Sequence, residues 1–141
     1  MKEKSYYFDH ERLDVYQAAI AFVILTDEML ENLPRGRAYL ADQLQRASSS
    51  ILLNIAEGAG ELSVNEKMRF YRMARRSATE CAGVLAIFQC LGLAKLELQN
   101  KGRELLLRIV SMLSKMVQVN DNRSENASAN ANVYDANKVS P

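Results

Sequence analysis

The feature that most constrains this chain is the stretch Leu40–Gly60, LADQLQRASSSILLNIAEGAG, which carries two side-chain stripes at helical spacing. The first stripe is apolar and consists of Leu40, Leu44, Ala47, Ile51 and Ile55. The second stripe is polar and consists of Gln43, Arg46, Ser50, Asn54 and Glu57. Because residues three and four apart share one side of an α-helix, the pattern predicts a helix that buries one face and carries a polar face beside it.

Start and stop signals in the rest of the chain predict three more helices. The Asn32-Leu33-Pro34 turn ends a first helix, for which Asp9 is the expected N-cap. Ser63 and Glu66 form a capping box before a third helix, and Gly92 supplies its C-terminal cap. The expected helices cover Glu11–Glu31, Ala38–Glu57, Val64–Leu91 and Glu97–Val119.

Four amphipathic helices joined by short connections predict an all-α fold, an up-down-up-down antiparallel four-helix bundle. The 141 residues suffice for one domain with a sizeable core. We expect an N-terminal arm at 1–10, the bundle at 11–119 and a disordered C-terminal tail at 120–141. The tail is expected to be disordered because it is rich in Asn, Ala and Ser and has little to bury.

Composition and charge argue against several function classes. A net charge of +1 gives the whole chain no strong attraction to nucleic acid or to an anionic membrane. The longest apolar run, Ala18–Leu25, is too short to span a bilayer, and no apolar export signal is visible, so we expect a cytoplasmic protein. Cys81 and Cys90 fall on opposite sides of one predicted helix, and the chain has one histidine. We therefore expect no metal or other cofactor.

Several stretches give the chain a resemblance to a known family. The most specific is the SI-x-x-NIAEG core, which stands intact at Ser50–Gly58. The same pattern includes the stretches Leu13–Ala19, Asn32–Pro34, Arg69–Ala74 and Ser77–Glu80. From Phe8 to Val119, the chain resembles the four-helix-bundle proteins encoded in intervening sequences of bacterial 23S rRNA genes.

The resemblance carries expectations about assembly and partners. It implies an up-down bundle that assembles into a pentameric ring, so a homo-oligomer is expected. A related group serves as accessory proteins to the reverse transcriptases of diversity-generating retroelements. That relationship implies RNA or a nucleic-acid-binding protein as a further possible partner.

The polar stripe has two interpretations. A hydrogen-bonded network that fixes helix register would comprise Gln43, Arg46, Ser50, Asn54, Glu57, Ser77 and Glu80. We expect Arg46 to form an ion pair in it, with Glu80 or with Glu57 of the same or a neighbouring subunit. The alternative is an active site in which one of these carboxylates acts as acid or base and Arg46 holds an anion. No nucleophile–base pair accompanies them, which favours the structural interpretation and a protein that is not an enzyme.

A basic cluster on the third predicted helix is the second candidate site. Its members are Lys67, Arg69, Arg72, Arg75 and Arg76. The arginines fall opposite Phe70 on the helix and are expected to face solvent. Such a face is either an ordinary solvated surface or a patch that binds the backbone of RNA.

The first predicted helix has two apolar faces, where a monomeric bundle needs one. We assign Leu13, Tyr16, Ile20, Val23 and Ile24 to the core. The predicted oligomer interface consists of Val15, Ala18, Phe22, Leu25 and Met29, together with the small residues Ala82, Gly83, Ala86 and Cys90 of the third helix. A large apolar patch left in water is the usual mark of an interaction surface.

The sequence therefore favours a non-catalytic, self-assembling four-helix-bundle protein that acts as a binding or scaffold module. The alternative is an accessory protein that associates with RNA or with a reverse transcriptase through the basic face of the third helix.

Overall fold

The computed structural model describes residues 7–136 and contains four α-helices in that range. They are α1 (Asp14–Leu30), α2 (Ala38–Gly60), α3 (Val64–Leu91) and α4 (Leu96–Ala136), and a 3-10 helix, η1 (Asp9–Arg12), precedes them. Each α-helix packs on the next one in the chain, and α4 closes back onto α1. No strand occurs among residues 7–136, so the predicted all-α, up-down-up-down four-helix bundle is confirmed.

The N-terminal end of the bundle differs from the sequence prediction. The chain forms η1 first, and α1 begins at Asp14 rather than at Glu11. Its N-cap is Leu13, whose extended backbone (φ −78°, ψ 129°) separates the two helices. Asp9, the expected N-cap of the first helix, instead lies in the first turn of η1. The first six residues of the predicted arm lie outside the described residues.

Local hydrogen bonds set both ends of α3, as predicted. The Ser63 side chain accepts a hydrogen bond from the backbone N–H of Glu66, at 3.4 Å. Gly92 adopts the left-handed conformation (φ 63°), and the N–H of Leu93 reaches back to the carbonyl of Phe88 at 2.9 Å. This is a Schellman motif, which requires a residue that tolerates positive φ.

One hydrophobic core runs through the bundle and receives large side chains from all four helices. Fully buried examples are Phe22, Leu44, Ile51, Phe88, Ile109 and Leu113. Polar side chains in the core find partners, because buried polar groups are costly otherwise. Thr26, for example, donates a hydrogen bond to the carbonyl of Val23 at 2.7 Å.

The face of α1 that enters this core is the face that the sequence analysis assigned to subunit contacts. All five of its predicted interface residues are buried within the chain: Val15, Ala18, Phe22, Leu25 and Met29. The prediction that they form an oligomer interface is wrong. Both faces of α1 are apolar, and the buried one is wider because Ala19 and Thr26 extend it. The opposite face stays outside, with Ile20 and Val23 half-buried and Ile24 64% exposed.

Two glycines allow close helix contacts. A Cβ built on Gly58 would lie 2.8 Å from Cε1 of Tyr71 and 3.1 Å from Cβ of Phe70. A Cβ on Gly102 would lie 3.1 Å from Cδ1 of Leu85. Gly58 therefore lets the buried Tyr71 ring pack closely against the end of α2, next to the polar stripe.

The C-terminal end also differs from the sequence prediction. α4 passes its expected end at Val119 and continues to Ala136, whereas disorder is predicted from residue 120. No glycine or proline occurs between Gly102 and Pro141, and a helix that is already nucleated extends at low cost. Between residues 121 and 132 the side chains that the structure describes are exposed, so this extension projects from the bundle. The predicted tail beyond residue 136 lies outside the described residues.

Across residues 7–136, the helices are all too short or too polar to cross a membrane.

Candidate functional surfaces

The centre of the predicted polar network is a small hydrogen-bond cluster between α2 and α3. The Ser77 hydroxyl donates to the Ser50 hydroxyl at 2.9 Å. The Asn54 amide donates to the same hydroxyl at 3.0 Å and to the backbone carbonyl of Ser50 at 2.8 Å. Asn54 is 9% exposed. The three neutral side chains satisfy one another where α2 and α3 approach closely, which accounts for them as a register-fixing contact.

The charged members of the network do not pair as predicted. Arg46 forms an ion pair with Asp42, one turn earlier on α2, at 3.2 Å. The two side chains are 77% and 66% exposed. Within one chain, the expected pair of Arg46 with Glu80 or Glu57 is wrong, because Arg46 points outward and Asp42 lies closer on the same helix face. A pair with Glu57 of a neighbouring subunit stays a prediction.

Glu80 is instead approached by Gln43, whose amide lies 3.5 Å from the Glu80 carboxylate. Arg46 and Glu80 line one shallow depression between α2 and α3, together with Gln43 and Ser50. Arg46 and Glu57 line a second one on the outer side of α2, with Asp42 and Asn54. The structure therefore brings the predicted residues onto one side of the molecule without joining the charged ones directly.

The basic cluster is partly held by protein partners. Arg69 binds Glu66 through two contacts of 2.9 and 3.1 Å, and the hydrogen bond and charge of Glu66 raise the pKa of Arg69. The Arg69 guanidinium also lies 4.9 Å from the centre of the Phe70 ring. Lys67 is turned away from the arginines, toward the backbone carbonyl of Ala59 on α2, at 3.3 Å.

Two of the remaining three arginines contact α4. Arg72 forms an ion pair with Asp121 at 3.0 Å, and Arg75 donates a hydrogen bond to the Ser114 hydroxyl at 3.4 Å. Arg76 is exposed. Four arginines, Arg69, Arg72, Arg75 and Arg76, line one depression between α3 and α4, which we call the arginine depression. The ion pair of Arg72 with Asp121 is not predicted from the sequence, because it depends on a helical segment in which disorder is predicted.

An apolar groove continues from this depression along the second half of α3 and the first half of α4. Thr79 and Val110 line both, so the two are contiguous. We call this second part the α3–α4 groove, and it encloses about 170 Å³. Its walls include Ala82 and Ala86 of α3, both predicted as interface residues, and Leu107 of α4, which is 62% exposed. Leu107 is not predicted from the sequence as part of this surface.

The other two small residues predicted for the interface, Gly83 and Cys90, are exposed on the same outer side of α3. A Cβ on Gly83 would meet no heavy atom within 4 Å, which shows how open this surface is. Exposed Ile87 and Leu91, at 40% and 46%, extend the apolar character of α3 toward its C-terminal end.

The outer face of α1 is the second uncovered apolar surface. Ile24 lines a shallow depression toward α4, beside Glu28 of α1 and Glu104 and Arg108 of α4. Charged side chains of both signs border this depression, because Lys101 of α4 also lines it, whereas α1 itself contains no Lys, Arg or His.

The two cysteines have different environments. Cys81 is buried in the core, and burial raises the pKa of its thiol to about 12. Cys90 is exposed. Within residues 7–136, no three histidine, cysteine or carboxylate side chains gather into a metal-ligand group.

Comparison with known proteins gives one match. The family model for the 23S rRNA-intervening sequence protein matches residues 11–115, which include the end of η1, all of α1–α3 and the first half of α4. The search of curated proteins gives no match.

Proposed function

Because the chain belongs to the family of 23S rRNA-intervening sequence proteins, we propose that it acts as a non-catalytic binding or scaffold module that assembles with copies of itself. The observation that supports self-assembly is the uncovered apolar face of α1. Its most exposed member, Ile24, is 64% exposed and lies one turn from the half-buried Ile20. A bundle of this size needs no second apolar face on α1 unless that face is covered in an assembly.

Coverage of this face and of the apolar surface along α3 and α4 in an assembly would be energetically favourable. Burial of one large aliphatic side chain contributes about 1.5–3 kcal/mol, and Ile24 and Leu107 are both largely exposed in the single chain. Other apolar side chains on these surfaces, such as Ile87, add to the total. We propose a cytoplasmic location for the assembly.

The experiment is a mass measurement by light scattering at micromolar concentration. We expect a multiple of the 15.9 kDa chain, and the family resemblance predicts five copies. A mass of one chain at that concentration would refute self-assembly.

A second candidate is an accessory role in which the arginine depression binds the phosphate backbone of RNA. The specific observation in its favour is that Arg72, Arg75 and Arg76 line one depression, and none of its lining residues in the described chain is acidic. Arginines clustered along one helix are a usual electrostatic footprint of nucleic-acid binding.

The test is retention of RNA at low salt, with affinity that falls steeply as salt rises because phosphate contacts release counterions. The double variant Arg75→Glu, Arg76→Glu should lose this binding and keep the helical circular dichroism spectrum. Wild-type protein that retains no RNA at low salt would refute the candidate.

A further inference from the structure

We propose that the outer face of α1 in one copy docks into the α3–α4 groove of a second copy, in a head-to-tail contact. This inference rests on the proposed self-assembly and names the two surfaces that meet. The shape, length and charge of the two surfaces support it.

The two surfaces differ in shape in the way that a docking pair requires. The α1 face is a ridge, since Ile20 and Ile24 stand one turn apart on the outside of the helix. The α3–α4 groove is concave and has small residues, Ala82 and Ala86, on its α3 wall. Small side chains let a foreign helix approach closely, and Leu107 offers it an apolar contact from the α4 wall.

The lengths also match. α1 has 17 residues, which corresponds to about 25 Å. The concave surface extends along α3 from Arg69 to Gln89, which corresponds to about 30 Å on the same helix rise. A helix of the length of α1 therefore fits along the groove and the arginine depression together.

Charge favours this pairing through the acidic side chains of α1 itself, while α4 borders the Ile24 depression with both signs. The charged residues of α1 are Asp14, Asp27 and Glu28, all exposed and all acidic. In the described chain, the residues that line the groove and the arginine depression include five arginines and no carboxylate. Arg103 is the arginine inside the groove, and the others follow at its end. Opposite charges around an apolar centre favour correct docking and disfavour contact of two like surfaces.

The arginines favour a heterologous contact. Two grooves would bring arginines together, whereas α1 in a groove places its own acidic side chains near those arginines. Each copy carries both surfaces, and α4 lies between α1 and α3 in the bundle. One copy can therefore bind a second through its α1 while it accepts a third in its groove, and this geometry closes into a ring or extends as a filament.

Two single variants test the pairing. Ile24→Arg places a cation on the α1 ridge, and Ala86→Arg fills the groove and adds a like charge beside Arg103. Both positions are exposed in the single chain, so the fold should survive. The matched control is Leu53→Arg, which changes an aliphatic side chain of α2 that is 58% exposed and belongs to neither surface.

By light scattering at micromolar concentration, we expect each of the two variants to have the mass of one 15.9 kDa chain and Leu53→Arg to keep the wild-type mass. A mixture of Ile24→Arg and Ala86→Arg should form a dimer, because one intact groove and one intact α1 face remain. A mixture that stays monomeric, or a single variant with the wild-type mass, would overturn the inference while self-assembly stands. A monomeric wild-type protein would overturn both.

Discussion

Arg72 of α3 lies 3.0 Å from Asp121 of α4, at the point where α4 leaves the bundle. The two side chains are 46% and 54% exposed, so their ion pair contributes about 0–1 kcal/mol to stability. A weak pair of this kind exchanges readily with another anion. Asp121 therefore occupies the guanidinium of Arg72 in the way that a phosphate group would.

We expect Asp121→Asn to increase the affinity of the protein for single-stranded RNA at low salt by about twofold to fivefold, because it frees Arg72 for a phosphate. Affinity can be measured by fluorescence anisotropy of a labelled oligonucleotide. Glu125→Gln is the control, since it removes one negative charge from the same exposed part of α4. Equal gains in the two variants would show that net charge, rather than the release of Arg72, is responsible.

Gly58→Ala should lower the free energy of unfolding by about 1–3 kcal/mol, since the new methyl group meets the buried Tyr71 ring at 2.8 Å. Gly60→Ala is the matched control at the end of the same helix, where a Cβ meets no heavy atom within 4 Å. Urea denaturation measures both. Similar unfolding midpoints for the two variants would contradict the proposed packing constraint.

The polar network predicts a contrast between two alanine substitutions on α2. Arg46→Ala should cost at most about 1 kcal/mol, because its ion pair with Asp42 is exposed. Asn54→Ala should cost about 1–3 kcal/mol, because it removes a buried side chain that donates two hydrogen bonds to Ser50. A larger loss for Arg46→Ala in chemical denaturation would point to a buried partner for Arg46 in the assembly.

The two thiols should react at different rates. Burial holds the pKa of Cys81 at about 12, so at pH 8 its reactive thiolate is scarce and the sulfur is shielded. We expect a thiol reagent to modify Cys90 alone in the native protein and both cysteines after denaturation. Cys90→Ser should then leave the native protein unreactive, and rapid modification of that variant would show that α3 opens locally.

Features that depend on near neighbours in the sequence are predictable from it. Both ends of α3 belong to this class, because Ser63 and Gly92 act on groups of their own helix or turn. The bundle topology follows from helix periodicity and short connections. The sequence places Ser77 of α3 in the polar network of α2, and in the structure its hydroxyl contacts that of Ser50.

Features that depend on competition between distant surfaces are not predictable from the sequence. Both faces of α1 have helical apolar spacing, so the pattern cannot decide whether Phe22 or Ile24 enters the core. The structure buries Phe22 completely and leaves Ile24, on the opposite face, 64% exposed. Arg46 illustrates the same difficulty, because it forms its ion pair with Asp42 on its own helix and not with a carboxylate farther away in the sequence.

The length of α4 has a consequence for how the protein behaves in solution. With 41 residues the helix is about 60 Å long, roughly half again the length of α3. A bundle with such a projecting rod experiences more hydrodynamic drag than a sphere of equal mass, and it elutes early in size-exclusion chromatography. Truncation after Val119 should therefore reduce the apparent Stokes radius by more than the lost mass explains.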